Sequence, residues 1–300
     1  MLPDVNFHFQ MNAVQYDFVD RVFTVLKADD VATLSLKSPI WNQVKRIYNT
    51  KLQNYTVSVC FTNQELWYKI YSKKEEDVHL TLEDALQLDA RFNRVSEFTV
   101  ESATRRLPHL LAVNRLPELL DYVSRFNLKA VFLDDFGKTS TVLLNRIAMS
   151  DCDFQTAYLC ITSFPGAEEF LKKQLRNGVL ESLRAYDFAP KPLKADLEAF
   201  VCRPNFKQLH CEIDCFDMAA LKRIIASWKK AKPARAQSIR IKSNRNLSKD
   251  FAAFMTPHLT SIGAEFREEI GKFTLLIECN IANYCNMWFH DNSEEGSSDK

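Results

Sequence analysis

The residues best equipped for chemistry lie in "HCEIDC", residues 210–215. His210, Cys211 and Cys215 offer an imidazole and two thiols, the donor types that hold zinc. Tetrahedral zinc needs a fourth donor, and this cluster supplies none. If the segment is a strand, Cys211 also points away from His210 and into the core. Asp134-Asp135 is an acidic pair of the kind used in acid–base work. Adjacent strand residues face opposite ways, so the two carboxylates are expected on different sides. The basic run "SWKKAKPARAQ", residues 227–237, could meet phosphates. It lacks interleaved stacking aromatics, and we read it as a solvated loop. No G-x-S-x-G, P-loop, G-x-G-x-x-G or H-E-x-x-H occurs. The expectation is a protein without catalytic residues, without a metal and without a cofactor.

What must position these residues is a repeated element. In "FKQLHCEID", Phe206, Leu209 and Cys211 stand at offsets 0, 3 and 5. The same pattern gives Leu128, Val131 and Leu133, then Phe154, Ala157 and Leu159, then Leu180, Leu183 and Ala185. Each copy starts 26 residues after the last. Looser copies are Val95, Phe98 and Val100 upstream, and Ala236, Ile239 and Ile241 downstream. A last one is Ile270, Phe273 and Leu275. Between them lie helical patterns: Leu119, Leu120, Val123 and Phe126 behind Pro117; Phe170, Leu171 and Leu175 before a stop at Asn177-Gly178; Leu193, Leu197, Phe200 and Val201; Leu221, Ile224, Ile225 and Trp228; and Phe251, Phe254 and Met255.

A strand and a helix every 26 residues, with L-x-x-L-x-L at the strand, resembles a leucine-rich repeat. The expected fold class is therefore α/β: a leucine-rich-repeat-like solenoid, with parallel strands on the concave face and helices outside. A doubly wound α/β domain is the alternative. In the solenoid, offsets 2, 4 and 6 face the concave side. They give Phe132 and Asp134, Tyr158 and Cys160, Arg184 and Tyr186, then Gln208, His210 and Glu212, then Arg240 and Lys242. These polar and aromatic residues are the candidate surface for an unknown protein substrate; an ordinary solvated sheet is the alternative.

Residues 14–48 carry three short amphipathic patterns. Phe18, Val22, Val25 and Leu26 share helical spacing. Val31 and Leu34 follow a cap at Asp29 or Asp30. Ile40, Trp41, Val44 and Ile47 follow Ser38-Pro39. Here the chain resembles an F-box: Val14, Asp17 and Phe18 at the opening, Val22-Phe23, Leu26, Asp30-Val31, Leu34, and the closing Trp41 and Val44. Gln15 stands where the motif has proline. A generic helical cap on the repeats is the alternative. An F-box followed by leucine-rich repeats resembles the substrate receptors of cullin–RING ubiquitin ligases. The resemblance implies docking on a Skp-type adaptor of the cullin ligase core through Phe18, Val22, Phe23, Leu26, Val31, Leu34 and Trp41. It implies substrate capture by the repeats, with no chemistry beyond proximity.

The organisation expected is an F-box-like segment over 11–50, a hairpin and connecting segment over 51–90, repeats over 91–288 and a disordered tail over 289–300. The hairpin turns at Asn63-Gln64; the charged stretch after it reads as a loop and a short helix. Composition sets the outer bounds. The 300 residues are 46% hydrophobic, enough for a sizeable core, and the net charge is +1. Bulk charge gives no pull toward nucleic acid or membrane, and neither partner is expected. No apolar run is long enough to span a bilayer, and the start lacks a signal-peptide pattern. With eight cysteines and no C-x-x-C pair, a cytoplasmic or nuclear protein with free thiols is expected.

Overall fold

A computed structural model describes residues 16–26, 31, 38–62, 65–72, 74–101, 107–126, 128–132, 146–147, 149–160, 167–186, 193–211, 215–231, 236–242, 247–260, 263–280 and 284–291. The chain divides into two compact units. One comprises Met1–Thr56 and Ile70–Ser96, the other Val57–Lys69 and Glu97–Lys300.

The first unit contains α1 (Tyr16–Val25) and α2 (Pro39–Lys51). Of the three helices expected, two are present among the described residues; Val31 is a single helical residue between them, and Leu34 lies outside the described residues. Pro39 opens α2, where its missing N–H costs nothing. The two helices meet through Val19, Phe23, Val44 and Tyr48, with Val31 in the same core and Phe92 against it. The pairs 19/23 and 44/48 have i, i+4 spacing, so each pair forms a stripe. Phe23 and Tyr48 pack ring to ring at 5.3 Å, and Tyr48 meets Phe92 at 5.1 Å. Burial, and then the Asp20 carboxylate, push the Tyr48 phenol well above its ordinary range, so it stays a donor. Its hydroxyl donates to the Asp20 carbonyl at 3.1 Å.

The C-terminal carbonyls of α1 have no intrahelical partner. Arg94 supplies one. Its guanidinium donates to the Phe23 carbonyl at 2.6 Å and to the Leu26 carbonyl. We expect Arg94→Met to cost about 2 kcal/mol, the worth of a charge-assisted bond to buried acceptors. Hydrogen exchange should show α1 amides losing protection before those of α2.

The rest of this unit holds the start of β1 (Gln53–Thr62), the end of β2 (Glu65–Ser72), the start of β4 (Asn93–Val100), and all of β3 (Glu75–Leu80) and α3 (Leu82–Gln87). β1 and β2 flank the expected turn. β3 occupies the charged stretch expected to be a loop. It pairs antiparallel to β2, with Ile70 opposite Leu80. Thr81 then starts α3 with a capping box: its hydroxyl accepts from the Asp84 N–H at 3.1 Å, and its own N–H donates to the Asp84 carboxylate.

In the second unit, the 26-residue spacing corresponds to side-by-side parallel strands. β6 (Leu128–Phe132), β7 (Phe154–Cys160), β8 (Ser182–Tyr186) and β9 (Gln208–Cys211) follow one another, and β10 (Gln237–Lys242) adds beside β9. Leu183 lies opposite Ala157 on one side and Leu209 on the other, and Ile239 is opposite Leu209. Thus the apolar offset positions coincide across strands. Toward β6 the coincidence slips. A register shift after Leu128 sets Ala130 beside Ala157, and Phe98 of β4 also pairs with Ala130. The connections carry α4 (Leu116–Ser124) before β6, α5 (Ala167–Arg176), α6 (Lys194–Val201) and α7 (Met218–Ala231). Gly178, at φ 82°, ends α5 where the Asn177-Gly178 stop was expected.

The solenoid is nevertheless overturned. The protein is α/β with mixed sheets that include antiparallel hairpins, not a leucine-rich-repeat stack with helices outside. β5 (His109–Leu111) runs antiparallel to β2. Beyond β10 and α8 (Leu247–Ala252) come β11 (Pro257–Thr260), β12 (Gly263–Ile270), β13 (Phe273–Asn280) and β14 (Tyr284–Asp291). They pair antiparallel in the order β11-β12-β13-β14, and β14 runs antiparallel to β10. The expected last repeat fails for a local reason. Ile270 and Phe273 face each other across a hairpin whose turn contains Gly271 at φ 64°. Two turn residues can join only antiparallel strands; a parallel strand needs a crossover of about a dozen residues. The tail boundary also moves, since Phe289 is fully buried within β14.

Aromatic rings line the core. Phe98 meets Phe154, and Phe154 meets Phe170 of α5 at 5.9 Å. Phe206 contacts Phe200 of α6 at 5.1 Å and stacks on Trp228 of α7 at 6.1 Å, and Trp228 in turn meets Phe289. Among the described residues, no helix is long and apolar enough to cross a membrane.

Candidate functional site

The F-box-like residues divide by burial. Phe23 and Val31 are fully buried and hold the first unit together. Leu26 and Trp41 pack against that core, with Trp41 6.1 Å from the Phe23 ring. Val22 is half-buried, while Phe18 is 55% exposed. α1 has a polar side, Asp17, Asp20, Arg21 and Thr24, and a broad apolar side, so spacing alone could not say which stripe of the apolar side faces inward. Val19 and Tyr48, which carry the helix contact, were missed for that reason. The surface left for a partner is Phe18 with Val22, one turn apart on α1, next to the exposed Tyr16.

The chemical cluster at 210–215 comes apart. Cys211 is fully buried, whereas His210, its neighbour on β9, is half-buried on the opposite side of the strand. Cys211 is hydrogen-bonded to Cys215. That bond first, and burial second, raise its pKa far above the usual thiol range. Cys279 and Cys285, opposite each other on β13 and β14, form a like pair, and Cys285 is raised in the same way. Cys211 and Cys285 therefore stay protonated and are poor nucleophiles and poor metal ligands. Among the described residues, no three His, Cys, Asp or Glu side chains converge as a metal site.

The polar strand positions do come together. Tyr158, Arg184, His210 and Arg240 lie opposite one another on β7, β8, β9 and β10. They form one row across the second unit, on the face opposite Leu183, Leu209 and Ile239. The Arg184 guanidinium sits 5.0 Å from the Tyr158 ring centre and donates to the Gln208 side-chain oxygen at 3.2 Å. In the next row, Lys242 of β10 pairs with Tyr284 of β14. That ring lies 4.9 Å from the Arg240 guanidinium and 5.7 Å from the Lys242 ammonium. Phe132 closes β6 and Tyr186 closes β8; Asp134 and Glu212 lie outside the described residues.

Tyr284 was not anticipated, because it arrives on an antiparallel strand. Its signal was present in the alternation of Cys285, Met287 and Phe289, all fully buried, with Tyr284, Asn286 and Trp288 between them. Past β10 the same row continues as Asn286 on β14, Glu278 on β13 and Glu265 on β12, so the cationic part is bounded by carboxylates.

Comparison with protein families, curated proteins and solved structures gave no match.

Proposed function

We propose that this chain is a non-catalytic substrate receptor. In this reading the N-terminal helices dock on a Skp-type adaptor of a cullin ubiquitin ligase core, and the second unit's polar strand face holds a protein substrate. The reading places the protein in the cytoplasm or nucleus. The observation that carries it is the division within α1: Val19 and Phe23 are locked into the core, yet Phe18 stays exposed. A half-buried Val22 lies one turn on. An apolar stripe in water beside a stripe in the core is what a docking helix needs.

Co-purification of the full chain with a Skp-type adaptor tests this. Phe18→Asp should abolish capture, because burying an aromatic side chain contributes roughly 1.5–3 kcal/mol and a carboxylate there would be desolvated unpaired. Since Phe18 is exposed, this variant should keep wild-type circular dichroism. Phe23→Asp would unfold the helices and prove nothing. Folded wild type that captures no adaptor would reject the ligase link and leave an interaction scaffold.

A further inference from the structure

The row across β7 to β10 has a chemistry more definite than a generic protein-binding face. Its charged members are Arg184, Arg240 and Lys242, and Arg240 and Lys242 are exposed. Among the described residues, none of the three pairs with a carboxylate. Several cations elsewhere on the second unit do pair with one. Arg176 pairs with Asp196, Arg223 with Glu198 and Lys229 with Glu268. Each of the three lies instead over a tyrosine ring. A cation held by a ring keeps its net charge and is positioned without being neutralised.

We infer that this patch binds an acidic, extended protein segment. Arg184 and Arg240 stand two strands apart, about 10 Å. A chain in the polyproline II conformation returns to the same side every third residue, after about 9 Å. Acidic side chains three apart would therefore reach Arg184 and Arg240 together. Lys242 and the faces of Tyr158 and Tyr284 would take the flanking residues. Glu278 and Glu265 repel such a segment beyond β14, which confines it to the strands from β7 to β10 and the adjoining Tyr284. The inference rests on the receptor reading only for the role of the bound segment; the surface itself does not depend on adaptor docking.

The test uses the full chain and a short labelled peptide with glutamate at every third position, followed by fluorescence anisotropy. Controls are the same peptide with glutamine and a single-stranded RNA oligomer. The glutamate peptide should bind, and the glutamine version should bind at least about tenfold more weakly. Arg240→Glu with Lys242→Glu, both at exposed sites, should weaken binding about 100-fold. Arg46→Glu, an exposed cation on α2 of the other unit, should change nothing. Equal binding of both peptides, or tighter binding of the RNA with no response to the peptide, would overturn the assignment. Adaptor capture without peptide binding rejects this inference alone. Peptide binding without adaptor capture rejects the ligase reading alone.

Discussion

Trp228→Ala should destabilise the second unit by about 3–5 kcal/mol, the usual cost of emptying a buried indole site. Trp228 is 1% exposed, with its ring stacked on Phe206 and tilted against Phe289. Its Nε1 donates to the Val201 carbonyl, at the end of α6, at 2.8 Å. One side chain thus joins α6, α7, the entry to β9 and the antiparallel strand β14. The loss would remove much of a typical domain's 5–15 kcal/mol. Urea denaturation followed by circular dichroism measures it. Trp228→Phe separates the causes: it keeps an aromatic ring but orphans the carbonyl, and should cost about 1–3 kcal/mol. A wild-type midpoint for Trp228→Ala would mean the ring is not packed as described.

Gln174→Met is the second large effect, and it comes from polarity rather than volume. Gln174 is fully buried on α5. Its oxygen accepts from the Phe154 N–H at 3.0 Å and its amide donates to the Cys152 carbonyl at 2.9 Å. These are backbone groups at the entry to β7. Methionine preserves shape but leaves both unpaired, at about 1–3 kcal/mol each. We expect a loss of about 3 kcal/mol in chemical denaturation. Gln174→Glu should do still worse, because it buries a charge. A Met variant as stable as wild type would require another partner for both groups.

What the sequence disclosed follows from which forces are local. Repeated Leu, Phe and Ala at a constant spacing mark strands whose crossovers have equal length, and equal crossovers bring equal positions opposite one another. Hence Leu183 and Leu209 could be paired by counting. Counting could not show where the repetition stops. That is decided at Gly271, where one residue able to take positive φ turns a presumed repeat into a hairpin. In α1 the limit was different. Phe18, Val19, Val22, Phe23, Val25 and Leu26 spread over a broad apolar side opposite Asp17, Asp20, Arg21 and Thr24, and tertiary contacts with Tyr48 and Val44 select the buried stripe within it. The candidate face was half-legible for the same reasons. Its Arg184, His210 and Arg240 members lie on counted strands, whereas Tyr284 comes from the part that counting misses.

The junction at β10 has a consequence for biosynthesis. β10 is bordered by β9, which precedes it in the chain, and by β14, made more than forty residues later. While the chain grows from its N-terminus, β10 can settle beside β9 as soon as it appears. Its other edge then stays open until Tyr284–Asp291 has been synthesised. During that interval the nascent chain shows unpaired N–H and C=O groups beside Ile239 and Ile241, a template that another chain could join. Arg240 and Lys242, which alternate with those isoleucines, put like charge along that edge and so discourage two unfinished copies from pairing there.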